Sequence, residues 1–413
     1  MRILFCFALL FCAVYLQAQE APTAANPQAL FSFEQSKQEI NCFQQFNDTA
    51  AGVNAVNAFL LAKMTELMYL ERIDYQMRYL HNHCEPVDSI PSSEWIKENC
   101  LVTDENFEMV FEQRFQHYFG HNKNVRFKYI QKIHTEQAKF LGIPYTKGLD
   151  PELMIVSTDE LILILYRGTD DVGKSQWAEW LGTDFRISQM NAGGALVGTH
   201  LHTGFWLSFD LIRDELMMTL ADFGAADKKI WVAGHSLGAA LSVVTGVYLK
   251  SSGLNVQNVY AYACPRTIGN LAFIKKANEL LPNRIQRFEY YHDPVNLLWA
   301  PGFKYHYVGQ RHWYDEAQKG NYKMYQNAPE RVFISGGLKK YPHITADEKK
   351  EHRRIKREQM NGTKFIGMKM LHYHNPQWYV KAAYAQLTEE EKQQVPLVDD
   401  SYPYLYFFRD GTK

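Results

Sequence analysis

The stretch Gly234-His235-Ser236-Leu237-Gly238 places a serine between two glycines. The run Ile230 to Ala233 before it is apolar, and small and apolar residues recur at helical spacing from Ala239 to Tyr248, so the pentapeptide sits at a strand-to-helix junction. A turn this sharp needs residues without side chains two before and two after the serine, and it holds the serine hydroxyl at the tip in a strained backbone conformation. The G-x-S-x-G pattern in that context predicts a nucleophile, Ser236.

A serine hydroxyl attacks a carbonyl only when a base takes its proton, and the base needs a carboxylate to fix its tautomer and stabilise its charge. On a nucleophile elbow the chain order is serine, acid, histidine. Asp293 follows an apolar strand expected over Ile285 to Tyr291 and precedes Pro294-Val295, which aims it at the same sheet edge as the elbow. Asp315, Asp347 and Asp399 sit in charged or loop surroundings. Six histidines follow Asp293: His306, His312, His343, His352, His372 and His374. His343 and His352 border or enter a charged stretch, and His306 falls within an expected β segment, Phe303 to Val308. His372 and His374 stand just ahead of an expected C-terminal helix, Pro376 to Leu387, where a loop can carry an imidazole over the sheet edge. The oxyanion of a tetrahedral intermediate needs backbone N–H donors. Leu237, directly after the nucleophile, supplies one, and Gly168-Thr169, after another strand, is placed to supply the second. His81-Asn82-His83-Cys84 and His372-Tyr373-His374 lack a second ligand pair at a metal-binding spacing, so no metal or cofactor is expected.

The elements that must hold these residues read as an α/β sheet. Leu153 to Ser157, Leu161 to Tyr166, Val256 to Cys264 and Ile285 to Tyr291 are short apolar runs bounded by turn residues, alternating with helices expected near 175–182, 204–222 and 268–281. Before them lies an N-terminal helical layer, with helical periodicity over Ala50 to Leu80, 104–118 and 125–141 and a loop at 81–100. The stretch 310–367 breaks the strand and helix rhythm. Its densely charged part, Ala346 to Met360, reads as a solvated helix on an insertion. The resulting division is a signal peptide at 1–18, a helical region at 19–124, the catalytic domain at 125–390 with its insertion at 310–367, and a tail at 391–413.

With 413 residues and a net charge of -1, the chain gives no electrostatic reason to expect nucleic acid. Aromatic residues make up 14%, which suits core packing and also an apolar surface for acyl chains. Arg2, the apolar run Ile3 to Leu16 and the small Ala18 form a secretory signal, too short to span a bilayer, with cleavage expected after Ala18. A secreted or periplasmic protein with no transmembrane segment follows. Cys42, Cys84, Cys100 and Cys264 remain after cleavage. Cys84 and Cys100 can close a short loop, with Cys42 unpaired or an alternative partner, and Cys264 reads as a small buried residue. Asn47 and Asn361 begin N-x-T sequons.

The chain resembles the class 3 lipase family, α/β-hydrolases that include the fungal triacylglycerol lipases. The resemblance rests on LILILYRGTD at 161–170, Trp177, Asp184-Phe185, HTGF at 202–205, VAGHSLGAA at 232–240, CPRTIGN at 264–270, HDPV at 292–295 and YHYVG at 305–309. It covers roughly residues 125–310 and the helix near 374–387. It implies Ser236 as nucleophile, Asp293 as acid, and Thr169 with Leu237 as the oxyanion hole. The family's histidine is usually followed by a tyrosine at the start of the last helix, which selects His374, with Tyr379 after it, over His372. It further implies that the segment between the RGT strand and HTGF, here Ile187 to His200 with Gly193-Gly194 as hinge, forms a lid, an ordinary surface loop being the alternative. The cysteine at 264 and the 310–367 insertion depart from the family. The expected function is a secreted serine lipase on acylglycerol esters at a lipid–water interface. The alternatives are an esterase on short soluble or cell-wall esters, a phospholipase, and a non-catalytic lipid-binding module.

Overall fold

The computed structural model describes residues 42–70, 104–120, 124–132, 139–140, 143–144, 150–168, 189–291, 293, 295–297, 305–318, 321–328 and 373–395. All of them belong to one compact unit, Ile40–Lys413. The signal sequence, Cys84, Cys100, the 81–100 loop, Thr169, the helix expected near 175–182, the 346–360 segment, His343, His352, His372, Asn361 and the end of the tail from 396 lie outside the described residues.

An eight-stranded sheet forms the centre, and its strands lie side by side in the order in which the chain makes them. They are β1 Arg126–Gln131, β2 Glu152–Ser157, β3 Leu161–Tyr166, β4 Lys229–His235, β5 Val256–Tyr262, β6 Ile285–Tyr290, β7 Gln310–Gln318 and β8 Asn321–Tyr325. From β3 to β7 every pairing is parallel, and β1, β2 and β8 add antiparallel strands at the edges. Every residue of β2 and β3 is buried, as the unbroken apolar runs require of strands covered on both faces. This is the expected α/β-hydrolase architecture, a mostly parallel central sheet flanked by helices.

Because each parallel crossover steps one strand in the same direction and is right-handed, the crossover helices must gather on one face. These helices are α3 Thr203–Asp222, α4 Leu237–Ser251 and α5 Leu271–Leu280, and Phe107–Phe119, α2, precedes them in the chain. Ile230, Val232, Val259 and Ala261 point to them and form one apolar cluster with Val243, Val247 and Phe273. Two helices from distant parts of the chain cover the other face: α1, Ala55–Leu67, and α6, Pro376–Tyr384, which pack on each other and on the central strands.

That second face is aromatic. Tyr262, Phe288 and Tyr314 stack across β5, β6 and β7 at centroid separations of 4.9 and 5.9 Å. A tyrosine buries a large apolar ring and still carries a hydroxyl that needs a partner. Here the partners are backbone groups of the N-terminal segment: Tyr260 Oη donates to Gly52 O at 2.8 Å, and Tyr262 Oη to Ala58 O at 2.6 Å. Trp231 Nε1 donates to Asp48 O at 3.1 Å. In the described residues, aromatic content is therefore largely core, and its polar tips fasten α1 to the sheet.

Three expectations change. Arg126–Gln131, placed by its periodicity in the helical layer, is the edge strand β1, since Phe127 and Tyr129 alternate with charged residues at a period of two as well. The stretch from Gln310, read as an insertion, begins with β7 and β8. Its polar residues hid the strand, because Arg311 and His312 are buried with partners: Arg311 Nε donates to Glu289 Oε2 at 2.7 Å, and His312 Nε2 lies 2.7 Å from Gln286 Oε1. Near His306 the expected β segment reduces to one bridge with Gly269. Among the described residues no helix is long and apolar enough to cross a membrane, and no group of histidine, cysteine and acidic residues is placed to hold a metal.

Candidate active site

At the end of β4 the chain turns through Ser236 at φ 60° and ψ -124°, a region that L residues rarely occupy, and enters the helix Leu237–Ser251. Ser236 N–H donates to Tyr262 O at 3.0 Å, which anchors the turn to β5. Both flanking glycines are required by close approach. A Cβ on Gly234 would collide with the Gly238 carbonyl, and a Cβ on Gly238 would stand 2.6 Å from the carbonyl oxygens of Tyr166 and Arg167 on the neighbouring strand. Strand, helix and β3 thus meet at the tip with no room for a side chain.

Asp293 lies just past β6 and is 1% exposed. His374 immediately precedes α6, whose start is set by Asn375, its side chain accepting from Gln377 N–H, and by Pro376 in the first turn. The cap stops the helix one residue after the imidazole and leaves His374 on the sheet edge. His374 Nδ1 is 2.9 and 3.0 Å from the two Asp293 carboxylate oxygens, and its Nε2 is 2.7 Å from Ser236 Oγ. An ionised carboxylate only accepts, so the proton between them sits on Nδ1. That leaves the Nε2 lone pair for the serine hydroxyl. The arrangement can therefore draw the Ser236 proton onto an imidazole whose charge is met by a buried carboxylate.

Asp293 has further partners. Val295 N–H donates to Oδ1 at 2.9 Å and Tyr379 Oη donates to Oδ2 at 2.6 Å. Tyr379 Oη in turn accepts from Tyr290 N–H at 3.1 Å. Burial and the charge of Asp293 hold the Tyr379 phenol well above its ordinary pKa, so it remains a donor. The sequence pattern marked Tyr379 only as a landmark for the histidine. Replacing Tyr379 by phenylalanine removes a hydrogen bond to a buried charge, and we expect a loss of about 1.5–3 kcal/mol in denaturant unfolding.

Leu237 is the first residue of its helix, so its N–H has no intrahelical acceptor. Gly168 lies against the elbow, where a Cβ would stand 2.7 Å from His235 O and 2.9 Å from Ser236 Cβ. The following residue, Thr169, is outside the described residues. Next to Gly168, Arg167 Nη1 donates to Glu152 Oε2 at 2.6 Å, and both residues are buried. His202, of the HTGF stretch, is a buried core residue, its ring 4.5 Å from that of Phe205.

The segment expected as a lid is tied down in its described part. Gln189–Asn191 pairs with His200–His202, Ala192 N–H donates to Thr199 O, and Ser251 Oγ and Lys276 Nζ both donate to Ala195 O, at 2.8 and 2.6 Å. Leu196 is fully buried against the crossover helices. Residues 189–200 are a fixed hairpin, and Gly193-Gly194 serves its turn. Cys264 is buried, and burial pushes its thiol up to about 12, which fits a packing role.

Residues 163–301 match the family described as Lipase (class 3). Over that segment the chain is similar to the class 3 lipase family. The matched segment carries Ser236 and Asp293, and His374 lies beyond it. Secreted mono- and diacylglycerol lipase A of Penicillium cyclopium is 30% identical over 158 residues, 38% of this chain and 48% of that protein. Phospholipase A1-II 4 of Oryza sativa subsp. japonica is 29% identical over 151 residues, 30% of this chain and 37% of that protein. The match thus spans about half the length, or less, of these relatives. A solved structure of mono- and diacylglycerol lipase from Aspergillus oryzae aligns at 24% identity with a TM-score of 0.36, over 43% of this chain and 65% of that one. Within the class 3 lipase segment, β3 to β6 and the elbow form the frame, and the residues that complete the constellation, His374 and Tyr379, come from α6 and the turn before it.

Proposed function

We propose that the protein is a serine carboxylic-ester hydrolase, a lipase acting on acylglycerols. Ser236 Oγ attacks the ester carbonyl while His374 Nε2 takes its proton, Asp293 holds the imidazolium, and the N–H groups of Leu237 and Thr169 receive the oxyanion. The tetrahedral intermediate collapses to an acyl-serine as His374 returns the proton to the leaving alcohol. Water, deprotonated by His374, then releases the fatty acid and restores Ser236. The observation that carries this reading is the chain of contacts from a serine in a strained elbow, 2.7 Å to His374 and from there 2.9 Å to Asp293.

The substrate class is drawn from the acylglycerol lipases among the relatives, and the phospholipase A1 relative supplies the second reading, a glycerophospholipid ester. Export after cleavage at Ala18 is part of the proposal, supported by relatives described as secreted. The test is hydrolysis by the mature protein of a chain-length series of p-nitrophenyl esters, of mono-, di- and triacylglycerol emulsions and of phosphatidylcholine vesicles. We expect release of fatty acid from acylglycerols with a gain in rate once an interface forms. Preference for phosphatidylcholine moves the assignment to a phospholipase, confinement to short soluble esters to an esterase, and lipid binding without hydrolysis to a binding module.

A further inference from the structure

One hydroxyl joins the two chain segments that meet at the elbow. Tyr69 follows α1 and lies outside the matched segment 163–301. It is 3% exposed. Its Oη accepts the Gly168 N–H at 3.0 Å and lies 2.8 Å from His235 Nδ1. Gly168 immediately precedes Thr169 in the chain, and His235 immediately precedes Ser236. The hydroxyl therefore holds, in one place, the residue before each side of the site. Gly168 has no side chain where this contact is made, and a Cβ there would collide with Tyr69 Oη. The His235 link holds with its proton on either partner, so it does not depend on the tautomer. His235 carries the contact onward, since its ring lies 4.7 Å from that of His374 and 5.6 Å from that of Tyr379.

We propose that Tyr69 is a positioning residue for ester hydrolysis, its hydroxyl fixing the Gly168 peptide against the His235-Ser236 elbow so that the nucleophile and the oxyanion donors keep their relative placement. This rests on the hydrolase reading above. The physical ground is that a shift of about 1 Å in a reacting constellation costs on the order of 100-fold in rate. The elbow peptide is fixed by β5 through Tyr262 O, whereas the Gly168 peptide follows the end of β3 and takes its fixed partner from Tyr69. A residue of this kind affects the transition state more than ground-state binding.

The experiment compares Tyr69→Phe with the parent, with Ser236→Ala, and with Tyr166→Phe, which deletes another buried phenol, one that lies 2.7 Å from Thr245 Oγ1 between sheet and helix. Steady-state hydrolysis of p-nitrophenyl butyrate and thermal unfolding are measured for each. We expect Tyr69→Phe to lower kcat by about 10- to 100-fold with KM within about threefold. Tyr166→Phe is expected to keep kcat within about twofold at a similar change in Tm. Parent-like kcat in Tyr69→Phe, or equal kcat losses in the two tyrosine variants, overturns the positioning role while a Ser236→Ala loss leaves the hydrolase reading in place. Turnover that survives Ser236→Ala overturns the hydrolase reading itself, and the proposal with it.

Discussion

Ser236→Ala is expected to lower kcat by about 10⁴- to 10⁶-fold, and His374→Ala by a similar factor. The two side chains act as one unit, since the imidazole at 2.7 Å has no function in attack without the hydroxyl and the hydroxyl is a poor nucleophile without the base. The double variant should therefore be little worse than either single one, far from the product of the two losses. Residual turnover above the water reaction would come from the oxyanion donors and substrate binding. Ser236→Ala should keep the parental Tm within a few degrees, because the elbow's geometry comes from Gly234 and Gly238 rather than from the serine side chain, whereas His374→Ala also removes a donor to buried Asp293 and should lose stability as Tyr379→Phe does. A His374→Ala protein that retains most of the parent kcat would remove His374 from the mechanism and reopen the choice of base.

The second large effect concerns the fold beneath Asp293. Glu289 is 2% exposed and faces two buried arginines, with Arg287 Nη1 at 3.1 Å and Arg311 Nε at 2.7 Å. Arg287 Nε also donates to Val308 O at 2.7 Å, and its guanidinium lies 4.4 Å from the centre of the Tyr307 ring. Glu289→Ala deletes the carboxylate and leaves two positive charges close together in the interior. Breaking a buried pair in this way costs about 3–5 kcal/mol, several times what an exposed ion pair contributes. Denaturant unfolding is the measurement. A loss under about 1 kcal/mol would mean that water or backbone carbonyls take over the solvation of both guanidinium groups. Because Glu289 sits on β6, four residues before Asp293, activity should fall as β6 and β7 separate, in contrast to Ser236→Ala, where activity falls without loss of stability.

What could be read from the chain follows from how local each demand is. Ser236, Gly234 and Gly238 were legible because one sharp turn dictates three residue types within five positions. Asp293 was legible from its place at a strand end. The preference for His374 over His372 rests on the family's tyrosine pattern, and an Asn-Pro start to α6 in the next two residues accompanies the placement of His374 beside Ser236 and Asp293. Tyr69 left no signal, since an aromatic after an apolar helix looks like any other core residue and its hydroxyl partners are about a hundred positions or more away. The strands β7 and β8 were missed for a related reason. Arg311 and His312 look like solvent-facing residues unless their buried partners on β6 are known. The described part of the segment read as a lid or a surface loop is a hairpin, because small residues such as Gly193 and Gly194 serve a tight turn as readily as a hinge, and the carbonyl of Ala195 that fixes it is invisible in side-chain types.

The pairing of α1 with α6 has a consequence for how the protein is made. The sheet grows strand by strand in the order of synthesis, so β3 to β6 and the elbow can assemble while the chain is still emerging. The imidazole that meets Ser236 arrives 138 residues later, and the helix that follows it closes over α1 from the other end of the chain. Contacts of such sequence separation form late and slowly. An incomplete chain ending before His374 would carry Ser236 without the imidazole that meets it and leave one aromatic face of the sheet partly uncovered. On the proposed mechanism, hydrolysis therefore begins only once His374 and α6 have docked on the sheet.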